Sequence, residues 1–142
     1  MSARERTRIK FCGLRDEAEL ALALAAGADA LGVILARSSP RALPLERALA
    51  LGRAVPALVA KVAVVASPSE AEASALCAAG FALQFHGDES RARCEQLAAG
   101  RPYLRAIAVG EDGPEPAALR EFVGAEQALL VLDSRAHGRL GG

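Results

Sequence analysis

The sequence alternates between short apolar runs rich in Val, Ile and Leu and longer stretches rich in Ala, Leu, Glu and Arg. The first texture has high strand propensity and the second consists of helix formers. The pattern recurs about every twenty to thirty residues, a period typical of βα units. The apolar runs are RIKFC, ALGVIL, AKVAVV, ALQFH, YLRAIAV and ALLVLD. The 142-residue chain is therefore predicted to form six strands and five helices in one domain.

The predicted helix ends carry capping signals. Polar residues with short side chains stand before the helical stretches, where they can accept hydrogen bonds from free backbone amides. The candidate N-caps are Asp16, Ser69 and either Asp88 or Ser90. Glycines follow Ala-Ala pairs at the far ends, where a left-handed C-cap favours glycine. These are Gly27, Gly80 and Gly100.

The strands are almost continuously apolar over their middles, so helices must cover both faces of the sheet or the outside of a closed barrel. Strands joined by helices should be parallel, with right-handed crossovers. Two architectures fit: a doubly wound open sheet, or part of a (βα)₈ barrel. No GxGxxG or phosphate-loop motif follows the first strand. The nucleotide-binding version of the open sheet therefore lacks its usual support.

Composition removes several classes of function. The formal net charge is zero, and four Phe, one Tyr and no Trp offer few stacking platforms. Nucleic acid and anionic membrane surfaces are therefore not expected as partners. The polar N-terminus does not look like a signal peptide, and no stretch predicts a membrane helix. Cys12, Cys77 and Cys94 have no metal-type spacing. Free thiols in a reducing compartment, the cytoplasm, are the simplest expectation.

In parallel α/β folds the chemistry gathers where the strands end. Polar candidates at these positions are Cys12 after the first strand, Arg41 in the loop after the second, Gln84 and His86 at the fourth, and Asp133 at the sixth. Each also has a structural interpretation. Cys12 could be a small buried apolar residue, and His86 could only bond a neighbouring loop. Arg41 could be a solvated loop residue, and Asp88 and Glu89 first suggest the start of a helix.

Four segments together carry a resemblance to a known family. IKFCGL resembles the first-strand signature of phosphoribosylanthranilate isomerases, and AGADALGVILARSSPR resembles their second-strand segment. LQFHGDE is similar to their Gln-x-His-Gly-Asp-Glu stretch. LLVLDS followed by GRLGG resembles their sixth-strand aspartate and the glycine-rich phosphate loop after it. The segments occur in the family's order and spacing and span essentially the whole chain.

This resemblance implies a (βα)₈ TIM barrel that works in tryptophan biosynthesis. The reaction is the Amadori rearrangement of N-(5-phosphoribosyl)anthranilate to 1-(2-carboxyphenylamino)-1-deoxyribulose 5-phosphate. It implies neither a cofactor nor a metal. The general base maps onto Cys12, the general acid onto Asp133, and a contact with the anthranilate group onto Arg41. The remaining expected site residues are Gln84 and His86 for substrate and Gly141 and Gly142 for phosphate.

The family barrel has eight strands, whereas six are predicted here. We therefore expect a partial barrel over residues 1–142 that lacks strands seven and eight, with unpaired edges at strands one and six. Such a chain is expected to be inactive alone and to be a monomer or homodimer, with association through its edges possible. Two alternatives stay open. One is a non-catalytic phosphosugar-binding or interaction half-barrel, and the other is a flavodoxin-like sheet with a different strand order.

Overall fold

The computed structural model describes residues 6–136 and 139–140, with side chains up to Ser134. Six main strands alternate with five helices of seven to nine residues. The strands are β1 (Lys10–Cys12), β2 (Ala30–Ile34), β3 (Ala60–Val65), β4 (Phe81–Phe85), β5 (Tyr103–Gly110) and β6 (Ala128–Ala136). The helices are α1 (Glu17–Ala25), α2 (Leu45–Arg53), α3 (Glu70–Ala78), α4 (Arg91–Ala98) and α5 (Pro116–Phe122). Within the described residues, no helix could span a membrane.

The six strands form one parallel sheet in sequential order from β1 to β6. This is the strand order that the resemblance to a (βα)₈ barrel implied. A flavodoxin-like sheet reverses its direction of growth near the first strand, so the described topology excludes that alternative. Two short antiparallel strands were not predicted. Gly113–Pro114 pairs with the end of β5, and Arg139–Leu140 pairs with the end of β6.

The two faces of the sheet have different neighbours. Alternate residues of β2 to β5, such as Val33, Val65 and Phe85, pack against the helices in the main apolar cluster. We call this side of the sheet the helix face. A second cluster joins Ile34, Ala36 and Val64, with Cys12 packed against it. Since successive strand residues point to opposite sides, this second cluster lies on the other side, which we call the inner face.

The helix ends agree with their predicted caps. The Asp16 carboxylate accepts a hydrogen bond from the amide of Glu19 at 2.8 Å. Ser69 and Glu72 form a reciprocal capping box at the start of α3. Of the two residues proposed for α4, Ser90 is the N-cap. Asp88 is therefore not the residue that caps this helix.

Apolar side chains are exposed along both outer strands. Among the described residues, no strand pairs with the outer edge of β1, and only Arg139–Leu140 pairs with the outer edge of β6. Leu129 and Leu132 of β6 are 64% and 62% exposed. Unpaired backbone groups beside apolar side chains favour pairing with another chain. The expected open edges are thus present in the described part of the chain.

We predict that replacing Leu129 and Leu132 together by Lys reduces self-association of the chain. Two charges at the open edge oppose edge-to-edge contact at little cost to the core. Sedimentation velocity over a range of concentrations measures this. Leu22→Lys is the matched control, because Leu22 is 72% exposed on α1 and belongs to neither edge strand. A wild-type chain that stays monomeric throughout would contradict the prediction.

Candidate active site

Cys12 ends β1 at the carboxyl edge of the sheet, and its side chain is half-buried on the inner face. Its register partner on β2 is Gly32. A Cβ atom at Gly32 would lie 3.0 Å from the Cys12 Sγ and 3.3 Å from the Lys10 Nζ. The thiol therefore occupies space left by the glycine, and an ammonium group shares this part of the inner face. Lys10 was not among the predicted site residues, although it stands two positions before Cys12 and hence on the same side of the strand.

Arg41 lies in the loop after β2, and its side chain reaches the end of β1. Its Nη1 donates a hydrogen bond to the backbone oxygen of Cys12 at 3.0 Å. A side chain at Gly13 would collide with the guanidinium, so the glycine permits the close approach. The loop is held by the amide of Leu43, which donates to the backbone oxygen of Ile34 at 2.7 Å. The structure thus brings two predicted site residues, Cys12 and Arg41, together.

His86 and Asp133 form a second pair at the same edge of the sheet. The Nε2 of His86 lies 3.0 Å from the Oδ2 of Asp133, and both side chains are mostly buried. The distance is that of a hydrogen bond, yet neither ring nitrogen has a hydrogen bond of good geometry within the described residues. The contact is therefore a close electrostatic one that does not meet the geometry of a hydrogen bond.

Gln84 stands two residues before His86 and thus on the same side of β4. Its register partner Val64 belongs to the inner-face cluster. The residue is 5% exposed, and its Oε1 has no hydrogen-bond partner within the described residues. An unpaired buried acceptor is unfavourable, so buried polar groups are usually satisfied by protein, water or ligand. Gln84 therefore offers a hydrogen-bond acceptor to a bound molecule.

The predicted site residues fall into two groups. Cys12 and Arg41 lie at β1 and β2, whereas Gln84, His86 and Asp133 lie across β4 to β6. The contacts described above lie within each group. Their approach to one substrate across a barrel mouth stays a prediction. Gly141 and Gly142 lie outside the described residues.

Glu89 directly precedes the N-cap Ser90, at the start of α4 as its sequence suggested. It is buried there, and its carboxylate accepts hydrogen bonds from the amides of Ser67 and Gly87 and pairs with Arg105. The carboxylate thus binds groups outside the helix. The sequence offered no signal for this role, because two of the three partners are distant in the chain.

A cavity of about 580 Å³ opens at the loops after β2 and β3. It is lined by Leu35, Arg37, Ser38, Val65, Ala66, Ser67, Pro68, Ser69 and Glu72. None of the predicted site residues that the structure describes lines it, so the cavity does not mark the proposed chemistry. In the described part of the chain, no three His, Cys, Asp or Glu side chains gather as a metal site requires.

The other two cysteines belong to the helix face. Cys77 and Cys94 are buried in the main apolar cluster. Burial raises the pKa of the Cys77 thiol, and it raises the pKa of Cys94 to about 12. A buried neutral thiol is unreactive, since only the thiolate is a good nucleophile. Both residues therefore contribute to the apolar packing between the helices and the sheet.

We predict that iodoacetamide modifies Cys12 well before Cys77 or Cys94 in the folded chain at pH 8. Cys12 is half-buried at a strand end, whereas the other thiols are buried and stay protonated. Mass spectrometry of proteolytic peptides over time gives the three rates. In denaturant all three cysteines should react alike, which provides the control. Equal rates in the folded chain would contradict the described burial.

The chain is similar to known proteins of one family. The sequence model of the family described as N-(5'-phosphoribosyl)anthranilate (PRA) isomerase matches residues 9–141. A relative from Methylibium petroleiphilum, named N-(5'-phosphoribosyl)anthranilate isomerase, is 42% identical over 139 residues. That match covers 96% of this chain and 63% of the relative. The chain thus spans less than two thirds of the length of this relative.

Solved structures agree with the sequence comparison. Phosphoribosyl anthranilate isomerase from Thermus thermophilus is 30% identical with a TM-score of 0.77, over 93% of this chain and 64% of that one. A phosphoribosyl anthranilate isomerase in complex with reduced 1-(o-carboxyphenylamino)-1-deoxyribulose 5-phosphate has a TM-score of 0.77 at 21% identity, over 92% of this chain and 66% of that one. The second likeness bears on the fold alone. With the sequence match over residues 9–141, the chain belongs to the N-(5'-phosphoribosyl)anthranilate isomerase family.

Proposed function

We propose that this chain carries catalytic residues of a phosphoribosylanthranilate isomerase, which performs the Amadori rearrangement of N-(5-phosphoribosyl)anthranilate in tryptophan biosynthesis. The observation that supports this most is the placement of Cys12 and Asp133 at the same edge of one parallel sheet, each beside a polar partner. Parallel strands end at a common edge, which is where barrel enzymes gather their chemistry. The three free thiols suit a reducing compartment such as the cytoplasm.

Ring opening is the first chemical demand of this reaction. Asp133 donates a proton to the ribose ring oxygen, the bond from that oxygen to C1 breaks, and the anilino nitrogen supplies electrons to form an iminium. A positioned carboxylic acid suits such a transfer. The imidazole of His86, 3.0 Å away, limits the positions that this carboxyl group can take.

Proton removal from C2 is the second demand. The iminium makes this proton acidic, and the Cys12 thiolate removes it, so that the electron pair forms a C1–C2 double bond and neutralises the nitrogen. Addition of a proton at C1 and loss of the hydroxyl proton at C2 then give the ketone. Lys10 on the inner face and Arg41 at the Cys12 carbonyl are the positive groups placed around this residue.

Substrate recognition is assigned to the remaining polar groups. Arg41 can reach the carboxylate of the anthranilate ring. This charge-assisted contact would also keep the substrate beside Cys12. The Oε1 of Gln84 and the Nδ1 of His86, which have no hydrogen-bond partner among the described residues, offer partners to the sugar hydroxyls. Gly141 and Gly142 are proposed to contribute to binding the phosphate. The reaction as proposed uses no cofactor and no metal.

We also propose that the 142-residue chain turns over little substrate by itself. The open edges of β1 and β6 leave the inner face accessible to water, whereas proton transfers of this kind benefit from an enclosed site. Two further βα units would cover these edges and complete a barrel of eight strands. Assaying the chain alone tests this part, and full activity would overturn it.

A chimera tests the chemistry itself. We join the chain to the part of the Methylibium petroleiphilum relative that it does not span and measure conversion of N-(5-phosphoribosyl)anthranilate. We expect turnover, with kcat reduced by about 10²–10⁴ in Cys12→Ala and in Asp133→Asn, since each change removes a proton-transfer group. Cys77→Ala and Asp112→Asn are the matched controls, because these residues lie on the helix face and on an exposed loop. Near-normal kcat in either active-site variant would contradict the assignment.

A non-catalytic phosphosugar-binding module is the second candidate. The unpaired buried acceptor of Gln84 favours ligand binding in either case, with or without turnover. Calorimetric titration with the reduced product analogue separates the two functions. Binding by a chimera that shows no turnover would support the module, whereas turnover with loss in Cys12→Ala supports the enzyme.

A further inference from the structure

Glu89 is a buried carboxylate that gathers donors from three segments. Its side chain is 4% exposed. One oxygen accepts from the amide of Ser67 at 2.5 Å, and the other accepts from the amide of Gly87 and from Arg105 Nη1, both at 3.1 Å. Ser67 follows β3, Gly87 follows β4, and Arg105 lies within β5. A single carboxylate therefore links the loops after β3 and β4 to the first half of β5.

The local backbone is shaped around this carboxylate. Ser67 has a φ of +49°, a conformation that residues with side chains adopt only when their surroundings enforce it. At Gly87, a Cβ atom would lie 2.9 Å from the Glu89 Oε1, so the glycine leaves the space that the carboxylate uses. Two neighbouring loops are thus fitted to one side chain.

Glu89 and Arg105 act from the helix face. Arg105 lies on the same side of β5 as Tyr103 and Ile107, which pack in the main apolar cluster. Its guanidinium lies over the Phe122 ring, 5.4 Å from the ring centre. The pair is therefore separated by the sheet from the inner face, where the proposed chemistry takes place. Glu89 does not reach the proposed substrate position and can act only through other residues.

His86 lies in the turn that Glu89 and Arg105 hold in place. It directly precedes Gly87, whose amide is bound by Glu89, and its own amide donates to the backbone oxygen of Val65 at 2.9 Å. Its partner Asp133 lies on β6, and β5 runs between β4 and β6 with Arg105 paired to Phe85 and Leu130. The position of β5 against the turn after β4 therefore sets how closely His86 meets Asp133.

We propose that Glu89 is a positioning residue, which together with Arg105 braces the turn after β4 so that His86 is held against Asp133. Its catalytic purpose rests on the proposed isomerase function, whereas the brace itself is a property of the described chain. A buried charge that loses its partner is strongly unfavourable, so the pair should be sensitive to small changes. Through this brace, the buried Glu89–Arg105 ion pair on the helix face affects the His86–Asp133 pair on the inner face.

The brace can be tested without turnover, by NMR of the histidine rings in the 142-residue chain. The sequence has two histidines, and a His86→Gln variant assigns the His86 signal. The readout is the shift of this signal when Asp133 is changed to Asn, measured in several backgrounds. In the wild-type background the shift should be large, because the two side chains are in contact.

Glu89→Gln is the decisive background, since it keeps the size of the side chain but removes the charge that Arg105 pairs with. We expect the response of His86 to Asp133→Asn to fall by at least half. Glu95→Gln is the matched control, because Glu95 forms an exposed ion pair with Arg91 on α4 and touches neither loop. The control should keep the full response. An unchanged response in Glu89→Gln would overturn the proposal.

Arg105→Lys keeps the experiment informative if Glu89→Gln does not fold. This change retains the charge but loses the planar guanidinium that reaches the carboxylate. A smaller His86 response than in Glu95→Gln supports the brace, and an equal response overturns it. In the active chimera, Glu89→Gln should lower kcat roughly ten- to a hundredfold with KM little changed, as expected for a misplaced catalytic pair. An inactive chimera with an intact NMR response would refute the isomerase function but not the brace.

Discussion

The alternation of side chains across one parallel sheet is the constraint on which the rest of this structure depends. Successive residues of each strand point to opposite faces, so one set builds the apolar contact with the helices and the other set is free for chemistry. The register from β1 to β6 then brings the polar ends of distant strands to a common edge. A slip of one residue in any strand would move its site residue into the helix face.

Stability and function are divided between these faces. The helix face contains the largest fully buried side chains, among them Tyr103, Phe85 and Leu51. On the inner face, Gln84 and His86 keep polar atoms without partners among the described residues. Unsatisfied buried groups are unfavourable for folding but provide contacts for a ligand. The Glu89–Arg105 pair connects the two regions, because it is buried with the helices yet fixes the turn that carries His86.

Much of the fold could be predicted from local signals. The period of the apolar runs predicted the six main strands, and the family resemblance implied their sequential order. Asp16 and Ser69 were identified as caps because capping depends on neighbouring residues. The ends of the strands likewise pointed to Cys12 and Asp133. What could not be predicted depends on distant partners. Glu89 resembled a helix-start residue until its contacts with Ser67 and Arg105 were known. The short strand at Gly113–Pro114 was missed because two residues carry no periodicity.

The central claim is that Cys12 and Asp133 act on one substrate from opposite sides of the inner face. A crystal structure of the completed chimera with reduced 1-(o-carboxyphenylamino)-1-deoxyribulose 5-phosphate tests this most directly. We predict that the Cys12 Sγ contacts C2 of the sugar, that Asp133 faces the oxygen that leaves the ring, and that Arg41 binds the carboxylate of the aromatic ring. An analogue bound in the cavity beside Ser67 and Glu72, or too far from either residue for contact, would contradict the claim.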